Sequence, residues 1–308
     1  MTIGRFAPSP TGRMHLGNMF SALLSWLSAK SKNGQWLLRI EDIDPQRSRM
    51  EYAKLLMDDL QWLGLTWDDE PVFQSQRSDI YEHYYNMLQQ QGLTYPCYCT
   101  RADLLATQAP HESDGRVVYP GTCRPKKVEG RGLKVEGGRP AATRLMVADE
   151  DVSFTDGHYG TQTVNMAHHV GDYIIRRKDG AWAYQLAVVV DDGLMGVNEV
   201  VRGRDLLLSS PQQISLSRTL GFTPPQFIHL PLLINDAGQR LSKRDSSLDM
   251  GVLRQHHTAP ELIGWLAYYA GLLPDPQPTM PNQLLNVFSW EKVPHNDITV
   301  LASSLPAL

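Results

Sequence analysis

The first eighteen residues constrain this chain more than any other stretch. Thr2-Ile3-Gly4-Arg5-Phe6 is a short apolar run of strand length. Prolines at 8 and 10 then stiffen the backbone, and Gly12 permits a tight turn. From Leu16 onward Phe20, Leu23, Leu24 and Leu27 recur at helical spacing. A buried strand that feeds a rigid loop onto a helix start is the opening of a β-α-β unit. The first turn of such a helix has unpaired N–H groups and a partial positive charge, so it receives phosphate readily. His15 and Asn18 stand at that start, beside Gly17, where they can donate to phosphate oxygens.

The pattern continues as the opening predicts. Leu16 to about Lys32 reads as a helix ended by Gly34, and Trp36–Ile40 as a second strand running into Glu41-Asp42-Ile43-Asp44. Ser48–Leu63 and Arg77–Gln91 read as helices closed by Gly64 and Gly92. The fold class is therefore α/β, a doubly wound parallel sheet of the Rossmann type. At Tyr95-Pro96-Cys97 the character changes. The chain to about residue 170 is rich in glycine, proline and charge, with short strand-like runs such as Thr143–Val147. It reads as an inserted domain of weak regular structure that splits the nucleotide-binding fold. Helical spacing resumes at Tyr184–Asp192, followed by strands at Glu199–Arg202 and Gln226–Leu233. Thr258-Ala259-Pro260-Glu261 forms a capping box ahead of Leu262, Trp265, Leu266 and Tyr269, and Gly271 stops that helix. The expected division is 1–94 and 173–245 for the two catalytic halves, 95–172 for the insertion and 246–308 for a small helical tail.

Composition narrows the class. No apolar run in the 308 residues reaches the roughly 18 needed to span a membrane, so a cytoplasmic protein is expected. Met19–Leu27 is amphipathic and follows a proline-rich loop, unlike the core of a leader peptide. The net charge is −4, so nucleic acid is not attracted by a global basic field. RNA contact would fall to local clusters: Arg124, Lys126, Lys127, Arg131 and Lys134, and then Arg176, Arg177 and Lys178. Nothing points to an obligate protein partner. The three cysteines cannot all pair, and Cys97-Tyr98-Cys99 with Cys123 offers three soft ligands for one tetrahedral Zn²⁺. For the fourth position the residues offer Tyr119, His111 or a water, histidine being the commoner zinc ligand. The site would be structural, stapling a segment with little core of its own.

Far along the chain, Arg240-Leu241-Ser242-Lys243-Arg244 reads as a loop that presents a lysine to phosphates. Paired with the opening helix start, it describes activation of a carboxylate by ATP, with Mg²⁺ accompanying the nucleotide.

These segments resemble the class I aminoacyl-tRNA synthetases of the glutamyl type. His15-Leu16-Gly17-Asn18 matches that class's HIGH element and Leu241-Ser242-Lys243-Arg244 its lysine element. Arg39-Ile40-Glu41-Asp42-Ile43-Asp44, Tyr184-Gln185-Leu186-Ala187 and Val197-Asn198-Glu199-Val200-Val201-Arg202-Gly203 match as well, in family order. The resemblance implies that Arg5, Phe6, Ala7, Pro8 and Ser9 line the amino-acid pocket. Glu41 would hold the substrate ammonium, with Tyr184 and Arg202 completing the pocket. It implies that His15, Gly17, Asn18, Ser242 and Lys243 bind ATP, with His15, Asn18 and Lys243 assisting the chemistry. For the metal it implies Tyr119 as the fourth ligand. Glutamate carries two carboxylates and one ammonium, so arginine should outnumber acid in its pocket. The chain ends at residue 308, soon after Arg244, leaving room for a few helices and none for the usual anticodon-reading domain. It is therefore most similar to the shortened family of glutamyl-queuosine tRNA(Asp) synthetases. That family activates L-glutamate with ATP and transfers it to the queuosine base of tRNA(Asp). The alternatives are a minimal enzyme charging a tRNA 3′ end, or a non-catalytic RNA-binding relative.

Overall fold

The structure is a computed structural model, and it describes residues 1–100, 102–103, 118–125, 140–241 and 248–300. The opening unit forms as the sequence dictates: β1 (Ile3–Phe6), α1 (Leu16–Lys30) and β2 (Gln35–Ile40), with β1 and β2 parallel and Arg5 opposite Leu37. The turn between α1 and β2 is so tight that a Cβ on Gly34 would stand 2.4 Å from the Thr2 carbonyl oxygen. After α2 (Met50–Trp62), β3 (Asp68–Phe73) adds in parallel to the far side of β2. The other half of the sheet is β9 (Glu199–Gly203) and β10 (Gln226–Leu230), again parallel. The residue before β9 meets β1: the Asn198 N–H donates to the Ile3 carbonyl at 3.0 Å, and its side-chain oxygen accepts from the Ile3 N–H at 2.8 Å. The parallel strands thus lie in the order β10, β9, β1, β2, β3, and the order in which strands are added reverses between β1 and β9. Ligands of such sheets sit at the carboxyl ends of the strands at that reversal.

Alternation along the strands sorts side chains to two cores. Phe6, Trp36, Leu38, Ile40, Val201, Ile228 and Leu230 face α1, α2 and α8 (Ala259–Tyr269). Leu37, Val200 and Phe227 face the opposite layer, with α3 (Ser78–Gln90), α5 (Tyr184–Leu194) and α6 (Ser210–Thr219). By the same alternation Arg5, Arg39, Arg202 and His229 all belong to this second face.

The segment expected to be an insertion holds regular structure among its described residues. β4 (Thr94–Cys97), β5 (Ala142–Leu145) and β8 (Tyr173–Arg176) form an antiparallel sheet, and β6 (Asp151–Asp156) and β7 (Gly160–Asn165) a hairpin. A one-turn helix, α4 (Met166–His169), follows the hairpin. The run expected as one strand over Gln226–Leu233 stops at Leu230. Pro231 interrupts it, and β11 (Leu233–Ile234) restarts beyond. The tail also differs from the helical expectation. It holds α7 (Met250–His256) and α8, but beyond Gly271, with prolines at 274, 276, 278 and 281, the described residues form only short 3₁₀ turns and β12 (Ile298–Thr299), which pairs with β11. Among the described residues no helix is long and apolar enough to cross a membrane.

Candidate active site

Two adjoining sites lie at the carboxyl ends of β1, β2 and β9. The first is a cavity of about 210 Å³ at the start of α1, lined by His15, Gly17, Asn18, Gly203, Leu232 and Leu241, among others. His15 is the helix N-cap. Its Nδ1 accepts from the Gly17 N–H at 3.2 Å, and Asn18 Oδ1 accepts from the His15 N–H at 3.1 Å. An accepting Nδ1 places the proton of a neutral imidazole on Nε2, which makes that nitrogen a donor. Gly203 ends β9 on the opposite wall, where a Cβ would come within 2.6 Å of Asp205 and 3.2 Å of Leu232. Ser242, Lys243 and Arg244 lie outside the described residues. The residues on either side of them are anchored beside α1. The Leu241 N–H donates to the Leu233 carbonyl, and Asp249 bridges to His15 while the Met250 N–H donates to the Met14 carbonyl.

The second site is a buried cluster of charge. Arg39, without exposed surface, donates from Nη1 to Asp192 at 2.6 Å and from Nη2 to Glu41 at 3.1 Å. Arg5 reaches Asp192 at 3.3 Å. Asp191 is held mainly by Arg77, Gln74 and Tyr81, at 2.7, 2.8 and 2.8 Å, with Arg39 Nε 3.8 Å away. Arg202 is buried and, among the described residues, ion-pairs with no carboxylate. Its donors go to neutral acceptors: His229 Nε2 at 3.1 Å, Gln213 at 2.7 Å, Ser210 at 2.8 Å, and more loosely the Tyr184 hydroxyl and the Leu206 carbonyl. With Arg77 and Asp191 cancelling, Arg5 and Arg39 stand against Glu41 and Asp192, while a further carboxylate, Asp156, lies one imidazole away from Arg202, behind His229. Arg202 is thus a guanidinium without a directly paired carboxylate among the described residues, and a substrate carboxylate would complement it.

Titration follows this geometry. Burial raises the Glu41 carboxyl above its ordinary value, against the pull of Arg39 and Arg5. Burial pushes Asp192 the same way, but the two arginines overcome it and leave that carboxyl depressed. Arg202 is lowered by burial. Glu41 is thus the acid whose charge a bound ammonium would stabilise most.

The residues singled out from the sequence fall as follows. Arg5, Glu41, Tyr184 and Arg202 lie around the charge cluster. Phe6 is turned away into the first core, stacked on Trp36 with ring centroids 6.0 Å apart. Pro8 ties the loop to β2 by accepting from the Glu41 N–H at 3.0 Å, Ala7 is half-buried and Ser9 is exposed. Residue-by-residue reading missed Arg39, Asp192, Gln213, Ser210 and His229. The available signal was charge or imidazole inside apolar runs, as in Trp36–Ile40, Val188–Asp192 and Phe227–Leu230.

The three cysteines are free thiols and gather in the insertion, their sulfurs all within 4.8 Å of one another. Cys99 and Cys123 Sγ are 3.5 Å apart, near the 3.7 Å edge of a tetrahedron with bonds of about 2.3 Å. The Tyr119 oxygen lies 3.5 Å from Cys97 Sγ and 3.8 Å from Cys99 Sγ. Arg144 lies 3.6 Å over the Tyr119 ring and donates to Cys97 Sγ at 3.2 Å. Burial pushes the Cys99 thiol up to about 11, so without a cation it keeps its proton at neutral pH. The donor set fits a soft divalent ion. His111 lies outside the described residues.

Residues 2–265 match the family described as tRNA synthetases class I (E and Q), catalytic domain. A glutamyl-Q tRNA(Asp) synthetase of Symbiobacterium thermophilum is 44% identical over 320 residues, covering 100% of this chain and 98% of that protein. One from Deinococcus radiodurans is 47% identical over 283 residues, 90% of each. Among solved structures, a glutamate tRNA ligase of Elizabethkingia meningosepticum superposes with a TM-score of 0.82 at 26% identity, covering 99% of this chain and 68% of that one.

Proposed function

The chain belongs to the glutamyl-Q tRNA(Asp) synthetases, within the class I (E and Q) tRNA synthetases, and from that membership we infer that it activates L-glutamate with ATP and transfers the glutamyl group to queuosine in tRNA(Asp). The observation that carries this reading is the buried Arg202 guanidinium, which has no directly paired carboxylate among the described residues and stands next to Gly203 in the wall of the cavity at the start of α1.

In the proposed arrangement Glu41 accepts the substrate ammonium, and Arg5 and Arg202 grip carboxylate oxygen, with Tyr184 completing the pocket. Glutamine would leave a desolvated guanidinium without its charge partner, at a cost of about 2–5 kcal/mol. The substrate's α-carboxylate attacks the α-phosphorus of ATP, and pyrophosphate leaves from the opposite side. His15 Nε2, Asn18 and the first-turn N–H groups stabilise the phosphates. We assign Lys243, with Ser242, to the charge that develops on the leaving group, a role worth about 3 kcal/mol per well-placed donor. Mg²⁺ would neutralise further phosphate charge. A hydroxyl of the queuosine base then attacks the acyl carbon and AMP departs. The mixed anhydride is itself the activated species, so the enzyme needs no covalent nucleophile.

We further assign a structural Zn²⁺ to Cys97, Cys99, Cys123 and Tyr119. The domain reading stands as a proposal: catalytic halves over 1–94 and 173–245, an insertion over 95–172 that meets the anticodon arm, and a small tail over 246–308. A cytoplasmic location suits a tRNA substrate.

Incubation with labelled glutamate, ATP and total tRNA, followed by nuclease digestion, tests the acceptor. The label should remain on a modified anticodon nucleoside. Label on the 3′-terminal nucleoside would overturn the assignment in favour of ordinary charging, and no label on RNA at all would favour a binding relative.

A further inference from the structure

Arg202 is linked through His229 to Asp156, at the tip of the β6–β7 hairpin. His229 stands directly opposite Arg202 across β9 and β10, and its Nε2 accepts from Arg202 Nε at 3.1 Å. A nitrogen that accepts carries no proton, so the imidazole proton is on Nδ1. That Nδ1 lies 2.5 Å from Asp156 Oδ2, and neither side chain has exposed surface. The other Asp156 oxygen accepts three backbone N–H groups: His158 at 3.0 Å, Tyr159 at 2.9 Å and His229 at 3.2 Å. Asp156 closes β6 at the hairpin tip, and the tip is bolted to the tail. His158 stacks on His295 with centroids 4.2 Å apart, and its Nε2 lies 3.0 Å from the Pro294 carbonyl. The Tyr159 hydroxyl donates to the His295 carbonyl at 2.8 Å. Burial and the Arg202 charge hold His229 below its ordinary pKa, so the ring stays neutral, while its hydrogen bond and those of the backbone keep Asp156 a carboxylate despite burial.

We propose that Asp156 and His229 are positioning residues for the glutamate site: Asp156 selects the imidazole tautomer that offers Arg202 an acceptor and so aims the guanidinium at the substrate carboxylate. The inference rests on Arg202 gripping glutamate. It gives the hairpin a part in amino-acid recognition although the hairpin touches no substrate.

Asp156→Asn keeps the shape and inverts one polarity. If the amide oxygen retains the three backbone donors, its NH₂ faces Nδ1 and the ring proton moves to Nε2, where Ser210 Oγ at 3.3 Å can take it, and Arg202 Nε loses its acceptor. Exchanging a carboxylate for an amide behind a histidine is known to select the wrong tautomer. The full-length protein and its variants would be compared in steady-state activation assays with tRNA present. A buried donor left unmatched should raise the glutamate KM of Asp156→Asn about ten-fold or more, with the ATP KM unchanged. In ¹⁵N-histidine-labelled protein the His229 proton should shift from Nδ1 to Nε2. His229→Gln, whose carbonyl still accepts from Arg202, should keep a glutamate KM within about three-fold of the parent, whereas His229→Phe, which cannot accept, should not. An unchanged tautomer in Asp156→Asn, an unchanged glutamate KM, or equal rises for glutamate and ATP would overturn the proposal. Should Asp156→Asn fail to fold, equal KM values in the two His229 variants would do so. If Arg202→Ala itself leaves the glutamate KM unchanged, the underlying pocket assignment falls. If Arg202→Ala raises it and Asp156→Asn does not, only the positioning role falls.

Discussion

The charge cluster under the sheet is buried and the cysteine cluster partly so, yet they are held in opposite ways. Arg5, Arg39, Glu41 and Asp192 lock one another by ion pairs and hydrogen bonds within a sheet that has an extended apolar core on each side, and Arg202 is held beside them by neutral partners. Among the described residues the cysteine cluster has for its own core only Tyr95, Cys97 and Tyr119, with Cys99, Cys123 and Met146 packed around them. A site built into a parallel sheet is organised before any ligand arrives. A site on so small a core needs the ligand to supply the cross-link.

Substitutions sharpen that contrast. Arg39→Met should be the most damaging, because it leaves Glu41 and Asp192 buried without their shared cation. A loss of about 3–5 kcal/mol in global stability by denaturant titration is expected. A loss below 1 kcal/mol would show that the cluster is looser than its geometry. Arg202→Ala should leave folding nearly intact and raise the glutamate KM about 100-fold; an unchanged KM removes Arg202 from the pocket. Lys243→Ala should lower the turnover of adenylation about 100-fold with little change in glutamate affinity, and equal losses in both would count against its role. Cys99→Ser, or chelation, should release one equivalent of zinc and cost about 2 kcal/mol confined to the insertion, read as faster amide exchange there with the sheet unaffected. A native preparation free of metal, or melting of the whole chain at once, would dissolve the distinction.

The mildest test is pH. Glu41 must be ionised to hold an ammonium, and its pKa is raised above the ordinary value in the free protein. The glutamate KM should be flat at high pH and rise by up to about ten-fold per unit as pH falls through that raised value. The limb must be read above about pH 5, where the substrate's own side chain stays ionised. Glu41→Gln should have a higher KM and lack the limb; a limb that persists belongs to another group.

The β1-α1-β2 unit was legible because local rules agree there: strand alternation, helical spacing, proline in the loop and glycine at the turn. β3 was not read as a strand. Asp68-Asp69-Glu70-Pro71 has poor strand propensity, and its pairing with β2 is fixed by tertiary context. The β6–β7 hairpin is built of Ser, Thr, Gln and Asn with little apolar alternation, so its local signal was faint. At the site, Arg5, Glu41, Tyr184 and Arg202 were singled out through family resemblance. Arg39 was given no role although it lies in a matched motif, and Asp192 and His229 were passed over, since partners lie up to 187 residues away and only register brings them together. Each still left a local trace, a charge or imidazole where an apolar residue would be cheaper.

The side-chain alternation of β9 and β10 has a consequence for how this protein tolerates change. Point replacements in these strands degrade function by degrees. Loss or gain of a single codon would turn Val201 and Ile228 toward the pocket and drive Arg202 and His229 into the oily layer beneath α1. Length variation should therefore be purged from these two segments far more severely than substitution, while the connections around them drift freely.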